Sequence, residues 1–390
     1  MNNEEFRYIT NDKCKRLLQP LLLDGAYILS RNCKLLNNKK YKVEPFYTES
    51  EVYRMMNKTI GCELNKIYKL NEYVSYEFTP NNHIVGASSI SLYIKSPSGN
   101  VKKIFYSGDI GSFNSKRPFV EETKIVNKST IHIMEATYSD LSRGFNKNDI
   151  KKEREQMKRD ILSEIKKKHS ILCPCFAQNR TQEILAYLYD TFKDDETFDT
   201  PIYLDGKLSL EINSVYREIL NEDDRKYFND ILSWDKLHFV KGFDDSVTLA
   251  LNKDEVKIVL SSAGMCNVGR VLNHLKFNIE NPNYAVMIVG YCAPNTIGGN
   301  LLNDKMKEVK IEGMDYKKRC KVIRYNCWSS HIQGEEIIKY LSQVNTNLVI
   351  FHHSDDNKYK FRDIVEQELR NKNKSTNIVC ADSENNIFFI

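Results

Sequence analysis

The sequence predicts an α/β protein in which a strand-rich outer domain is interrupted by a cassette of alternating strands and helices. Three observations lead there. Short apolar runs separated by turn residues follow one another from about residue 76 to residue 134. Strict β-α alternation then takes over from about residue 170 to residue 292, the pattern of a mostly parallel sheet with helices packed on it. After residue 312 the first texture returns. With 390 residues and 41% hydrophobic content, the chain can bury a core in each of two parts.

The elements follow in order. Tyr76–Phe78, Ser89–Ile94, Ile104–Ser107 and Ile131–Met134 read as neighbouring strands of one sheet. The tract RGFNKNDIKKEREQMKRDILSEIKKKH reads as a charged helix with solvated Lys-rich faces. The strand SILCPCF leads into the helix NRTQEILAYLYDTF, where Asn179 suits the N-cap and Ile184, Leu185 and Leu188 share one face. TPIYLDG precedes the helix LSLEINSVYREIL, EVKIVLSSAG precedes VGRVLNHLKFNI, and the strand NYAVMIVGYC comes next. Then follow KVIRYNCWSSH, a helix to Leu341, the strand NLVIFHHSD, another helix and a terminal strand pair. The expected division is 1–144 for the first part of the outer domain, 145–312 for the cassette and 313–390 for the returning part.

Composition excludes some classes and leaves others open. The net charge of +5 neither demands nor repels a nucleic-acid partner. No run approaches the roughly 20 apolar residues of a membrane helix, and the start MNNEEFRYITNDKCK lacks the basic-then-apolar pattern of a signal peptide. The ten cysteines are scattered, and Cys173 with Cys175 is not a zinc-knuckle spacing. They read as reduced thiols filling the core of a cytoplasmic protein.

Polar residues at strand ends can converge on one site. Asp109, in the stretch FYSGDIG, follows one apolar run, and Glu135 follows another. His331 opens a helix after Trp328-Ser329-Ser330, His352 and His353 close NLVIF, and His83 sits in the turn TPNNHIVGASS. Imidazoles and carboxylates are what a hydrolytic zinc or two-metal site needs. A carboxylate hydrogen-bonded to a histidine also fixes its tautomer for proton transfer. Taken singly, each of these residues is more simply a turn or packing residue, and spacing alone does not assemble them. His132, His169, His238 and His274 are left as structural residues.

Order and local context carry more. From about Tyr47 onwards the chain resembles the β-CASP branch of the metallo-β-lactamase fold, which includes ribonuclease J and the cleavage-and-polyadenylation endonuclease. HIVGA resembles that family's third metal motif and YSGDIG its fourth; MEATYSD, CWSSHIQGEEIIKYL and LVIFHHSD are similar to its motifs A, B and C. PCFAQNRTQEIL, PIYLDGKL, SSAGM and VGYCAPNTIGG follow its cassette signatures in order. The resemblance implies an αββα sandwich with an inserted β-CASP cassette, and zinc-dependent hydrolysis of RNA phosphodiester bonds by metal-activated hydroxide, with DNA as the other candidate substrate. It implies that His83 ligates one zinc, that Asp109 bridges two, and that His352 ligates the second, with His353 in the place of the usual glycine. His331 would be the general acid, oriented by Glu135. Ser262 and Gly264 would approach a substrate phosphate, while Arg180 would serve either the substrate or the cassette fold.

The family's strongest motif, His-x-His-x-Asp-His, does not occur in this sequence, and RYITNDKCKRLLQPLLLDGAYIL resembles the stretch that follows it. The sandwich is therefore expected to be N-terminally incomplete, with an unpaired sheet edge, an uncovered apolar face and weak or partial zinc binding. Three explanations stand side by side: a misplaced start or disrupted gene, a split enzyme, or a non-catalytic RNA- or protein-binding subunit with a degenerate metal site. In the split enzyme a separate polypeptide supplies the missing strands; a homo-oligomer is the other association considered.

Overall fold

The computed structural model describes residues 6–38, 40–114, 116–141, 147–354 and 356–381. The chain divides into two compact units, Met1–Asn146 with Ser330–Ile390, and Lys147–Ser329.

The first unit begins with β1 (Tyr8–Asn11), α1 (Asp12–Asn38), α2 (Glu49–Asn57) and β2 (Thr59–Cys62). β1 and β2 pair in parallel as a small sheet of their own. Asn11 joins this start to the loop that carries His83. Its Oδ1 accepts from the backbone N–H of Cys14 at 2.8 Å, capping α1. Its Nδ2 donates to Gly86 O at 2.7 Å and Ser88 Oγ at 2.9 Å. Gly86, at φ 84°, is packed so closely on α1 that a Cβ there would stand 2.9 Å from Leu17 Cδ1.

There follow β3 (Ile67–Lys69), β4 (Val74–Pro80), β5 (Ser88–Lys95), β6 (Val101–Tyr106) and β7 (Ile131–Ala136). The second unit then runs through α3 (Lys147–Lys166), β8 (Ser170–Pro174), α4 (Arg180–Phe192), β9 (Ile202–Asp205), α5 (Lys207–Ile219), α6 (Glu222–Leu232) and β10 (Leu237–Phe239). It continues with α7 (Phe243–Leu251), β11 (Ile258–Ser261), α8 (Val271–Asn278), β12 (Tyr284–Ile288), α9 (Ile297–Leu302), β13 (Glu308–Ile311), β14 (Met314–Lys317) and β15 (Lys321–Arg324). The chain returns to the first unit with α10 (Gly334–Leu341), β16 (Leu348–Ser354), α11 (Lys358–Asn371) and β17 (Asn377–Cys380).

The large sheet of the first unit has the order β17-β16-β7-β6-β5-β4-β3. Four strands, β17, β16, β7 and β6, run parallel, and the hairpins beyond β6 are antiparallel. One face is sealed by α10 and α11: Met134, Ala136, Val349 and Phe351 pack with Ile337, Tyr340, Leu341, Phe361 and Val365. On another part of the sheet, Ile9 and Cys62 from the β1–β2 pair pack with Tyr76, Phe78, Ile90 and Leu92. Of the expected terminal strand pair, β17 is present, and residues 382–390 lie outside the described residues.

The second unit is built on an all-parallel sheet, β10-β9-β11-β8-β12-β15, with β13 and β14 as a separate antiparallel pair. Its inner strands β8, β11 and β12 are apolar without alternation, as strands covered on both faces must be; every residue of YAVMI in β12 is buried. Asn179 does precede α4, but at φ 66° and with no side-chain hydrogen bond to the helix. The floor of the sheet's carboxyl end is a closed polar network around fully buried Asp205. It accepts from His274 Nε2 at 2.7 Å, Ser246 Oγ at 2.6 Å and Arg270 Nη1 at 3.0 Å. Arg270 continues to Val240 O and Lys241 O, fastening the 262–270 loop to the end of β10.

The return to the outer domain falls later than residue 313. β15 pairs with β12, Val322 opposite Val286, and Val309, Ile311 and Cys320 belong to the cassette core. These short strands have the same texture as those of the outer domain, and only their pairing partner assigns them. The expected boundary at residue 144 lies among residues 142–146, outside the described residues.

Candidate active site

Asp109 lies in the loop after β6, and that loop is built to be rigid. Ser107 is fully buried; its N–H donates to Ile133 O at 2.9 Å, and its carbonyl accepts from Ser89 Oγ at 2.7 Å and Asn81 Nδ2 at 3.1 Å. Asn81 Nδ2 also donates to Asp109 O at 2.8 Å. Two residues on, His83 is held through its carbonyl, which accepts from Arg117 Nη1 at 2.9 Å. His83 Nε2 thereby stands 3.8 Å from Asp109 Oδ2.

Gly111 is where the two strand ends meet. It forms an isolated antiparallel bridge with His331, flanked by the hydrogen bond from Ile332 N to Ile110 O at 2.9 Å. That bridge brings His331 to the fully buried Glu135. His331 Nδ1 lies 2.9 Å from Glu135 Oε2 and 3.1 Å from Oε1. The carboxylate also accepts from Ile110 N at 2.6 Å and from Thr137 Oγ1. A buried carboxylate with this many donors is fixed in place. Because Nδ1 of His331 is engaged by Glu135, its Nε2 is the nitrogen left for chemistry.

The last contributor comes from β16. His352 is in register with Glu135 and Ser354 with Ala136, so His353 is an extra residue, a β-bulge, at φ 46°. The bulge turns the His353 ring to Asp109, with Nδ1 3.2 Å from Oδ1 and 3.1 Å from Thr137 Oγ1. The two oxygens of Asp109 therefore each face one imidazole. The donor atoms of Asp109, Glu135, His331 and His353 all lie within 4.8 Å of one another.

The sequence expectation had His352 in that position. In the structure its ring instead stacks on Tyr106, with centroids 4.9 Å apart, and its Nε2 is buried with no hydrogen-bond partner. Burial pushes its pKa below the usual imidazole range, against the opposing pull of Glu135 and Asp109. Thus His83, Asp109, Glu135 and His331 come together; His352 adjoins the same carboxylates with its Nε2 buried and unpartnered, and His353 joins them within hydrogen-bonding distance of Asp109. Strict strand alternation could not reveal this, because the bulge inverts the side to which the residue points. Two further residues were not singled out from sequence. Thr137 ties Glu135 to His353, its hydroxyl also reaching His353 O at 3.1 Å. Glu336 accepts from Asn114 N at 2.8 Å and Gln333 N at 2.9 Å, holding the loop after Asp109 against the segment after His331.

The donor set suits a divalent cation. Two ligands on one zinc ion, at bonds of roughly 2.0–2.1 Å in a tetrahedron, stand about 3.3 Å apart, and the His353–Asp109 and His83–Asp109 separations of 3.2 and 3.8 Å bracket that. The buried, unpartnered Nε2 of His352 adjoins the same carboxylates.

Ser262, Gly264 and Arg180 belong to the second unit. Ser262 Oγ is 2.9 Å from Ser209 Oγ. Gly264 is buried, and a Cβ there would stand 3.0 Å from Phe176 N, so close packing already requires a glycine. Arg180 is inside α4's first turn, paired with Glu183 Oε2 at 2.6 Å and 8% exposed. That arrangement supports the helix.

Comparison with known proteins gives a consistent set of likenesses. A family model described as the Beta-Casp domain matches residues 181–301. The chain is 27% identical over 303 residues to an RNase J-like protein of Methanocaldococcus jannaschii, covering 76% of this chain and 68% of that protein. It is 28% identical over 292 residues to RNase aCSPSF2 of Saccharolobus solfataricus, covering 74% of this chain but only 54% of that protein. A crystal structure of a protein of unknown function from Enterococcus faecalis V583 superposes with a TM-score of 0.52 over 97% of this chain and 74% of that one, at 14% identity.

Proposed function

Because the chain belongs to the β-CASP branch of the metallo-β-lactamase fold, we propose that it is a metal-dependent ribonuclease, using zinc to hydrolyse RNA phosphodiester bonds. The observation that carries the reading is the Glu135–His331 pair set beside Asp109. RNA as substrate is supported by the names of the two relatives, an RNase J-like protein and an RNase.

Asp109 and His83, with a histidine of the 352–353 pair, would hold the cation. When bound, it supplies positive charge to the phosphoryl oxygens and makes water a better nucleophile. Everything else falls to the chain's own residues. His331 holds a proton on Nε2 and gives it to the leaving oxygen as the P–O bond breaks. Glu135 accepts from Nδ1 and orients the imidazole, leaving Nε2 for the leaving oxygen; Thr137 and Ile110 N keep Glu135 oriented. Ser262, with Gly264 shaping its loop, would receive a phosphate of the substrate in the second unit.

The test is cleavage of a labelled single-stranded RNA by the purified chain with added Zn(II) or Mn(II). Cleavage is expected, abolished by chelator and by Asp109→Ala. RNA bound and left intact would overturn the enzyme reading in favour of a non-catalytic RNA-binding subunit.

A further inference from the structure

We propose that Phe176 is a stacking platform for a nucleobase of single-stranded RNA, set in the crevice between β8 and β12 of the second unit. The inference deepens the RNA reading above and rests on it.

Topology places a crevice there. β8 and β12 are neighbours, but the chain leaves β8 for β9 in one direction across the sheet and leaves β12 for β15 in the other. In open parallel sheets, ligands bind outside the carboxyl ends of the strands at such a switch point. The ladders show the two strands parting. β8 stays paired with β11 as far as Pro174 and Ser261, and β12 with β15 as far as Ile288 and Arg324. The ladder between β8 and β12 stops earlier, at Leu172 and Val286.

Phe176 stands at this opening, on the loop after β8. One side of its ring is seated between two glycines. A Cβ on Gly264 would stand 3.1 Å from Cδ2 and 3.2 Å from Cε2, and one on Gly290 3.9 and 3.6 Å from them. The backbone is fixed, since Phe176 O accepts from Thr181 N at 3.1 Å and from Thr181 Oγ1 at 2.8 Å. Cys175 and Ala177 on either side are buried, yet Phe176 is 40% exposed. An aromatic ring held rigid and open is what stacking on a base requires, and its ordering is complete before RNA arrives.

The polar groups around the ring suit a nucleotide better than an apolar partner. Ser262, the residue proposed for a substrate phosphate, lies two positions before Gly264 on the neighbouring loop. Arg324 closes β15 in register with Ile288 and is exposed. Burial pushes the Cys292 thiol up to about 11, against the opposing charge of Arg324, so the guanidinium is felt in the loop just beyond Gly290. A base on Phe176 leaves its phosphates to these groups.

The experiment measures binding of a fluorescein-labelled oligouridylate to the full chain in EDTA, by anisotropy. The strand has about 12 nucleotides, within the usual span of a single-strand site, and is compared with an abasic ribose-phosphate strand of equal length. Phe176→Leu fills the notch without a π-face, Phe176→Trp restores one, and a thermal melt checks folding. Phe176→Leu is expected to weaken oligouridylate binding by roughly 5–150-fold, the worth of one stacked base. The same variant should bind the abasic strand within about twofold of wild type, because the cycle isolates the base–ring contact. Phe176→Trp should recover most of the loss. Unchanged oligouridylate binding in Phe176→Leu, or an equal loss on both strands, overturns the platform. A wild-type chain that binds neither strand overturns RNA as substrate and this inference with it. RNA bound through Phe176 but left intact when Zn(II) or Mn(II) is added upholds the platform and overturns only the enzyme reading.

Discussion

The site depends on a glycine that no side chain can replace. Gly111 lies between the His83 loop and the strand end carrying His331, bonded to Asn81 O through its N–H at 2.7 Å and bridged to His331. In Gly111→Ala the new Cβ would stand 1.7 Å from Asn82 O, 2.2 Å from Asn82 C and 2.9 Å from His83 N, whereas ordinary contact begins near 3.4 Å. The loop must therefore retreat by roughly 1.7 Å. The obstacle is backbone, itself pinned by the Asn81 and Asn82 side-chain hydrogen bonds, so no rotamer change gives relief. Overpacking of this kind costs about 3 kcal/mol, the upper end of the usual range. In a unit of this size that lowers the melting temperature by about 6–12 °C. His83 is part of the displaced backbone, so Co(II) affinity should fall as well. Calorimetry and metal titration on the purified variant measure both effects. A melting temperature within about 2 °C of wild type, with metal binding unchanged, would refute the claim that Gly111 sets the spacing between the two strand ends.

Other outcomes follow from the same geometry. Glu135→Gln keeps shape and removes the charge facing His331; RNA cleavage should fall by about 10²–10⁴-fold, with metal stoichiometry by elemental analysis unchanged. Burial holds the His132 imidazole down at about 3, so the folded state resists a proton that the unfolded chain accepts below its ordinary pKa. Stability is then fully present above about pH 6.5 and is lost as pH falls towards 3, at up to about 1.4 kcal/mol per unit. His132→Phe should lose about 2–3 kcal/mol less than wild type between pH 6.5 and 4.5 in urea titrations. Asp205→Ala strips a buried anion from Arg270 and His274 and should destabilise the second unit by about 3–5 kcal/mol, read by calorimetry; a loss below about 1 kcal/mol would mean the network is dispensable.

Much of this architecture is readable from residue pattern, for a physical reason. The strands around Val259, Val286 and Leu172 are covered on both faces, and continuous apolar runs bounded by turn residues are hard to mistake. The strand-end residues His83, Asp109, Glu135 and His331 each read singly as turn or packing residues, and only the order and local context of the motifs around them set them apart. What escapes the sequence is whatever pairing decides. β1 and β2 are four-residue strands whose parallel partnership crosses a long helix, and no local periodicity announces it. The tract holding α6, β10 and α7 is acidic and weakly patterned. β15 reads like an outer strand until its partner is known. His353 escapes for the same reason, since alternation assigns it to the wrong face and the register of β16 against β7 is a property of two distant segments.

The interruption between Asn146 and Ser330 also governs when the centre can exist. His83, Asp109 and Glu135 leave the ribosome long before His331 and His353, and the cassette can collapse on its own parallel sheet in the interval. Until β16 slots in beside β7, the carboxylates have neither their imidazole partners nor a finished sheet beneath them. A nascent chain therefore carries an unassembled centre for as long as the cassette is being made, and the pairing of β16 with β7 is what completes it.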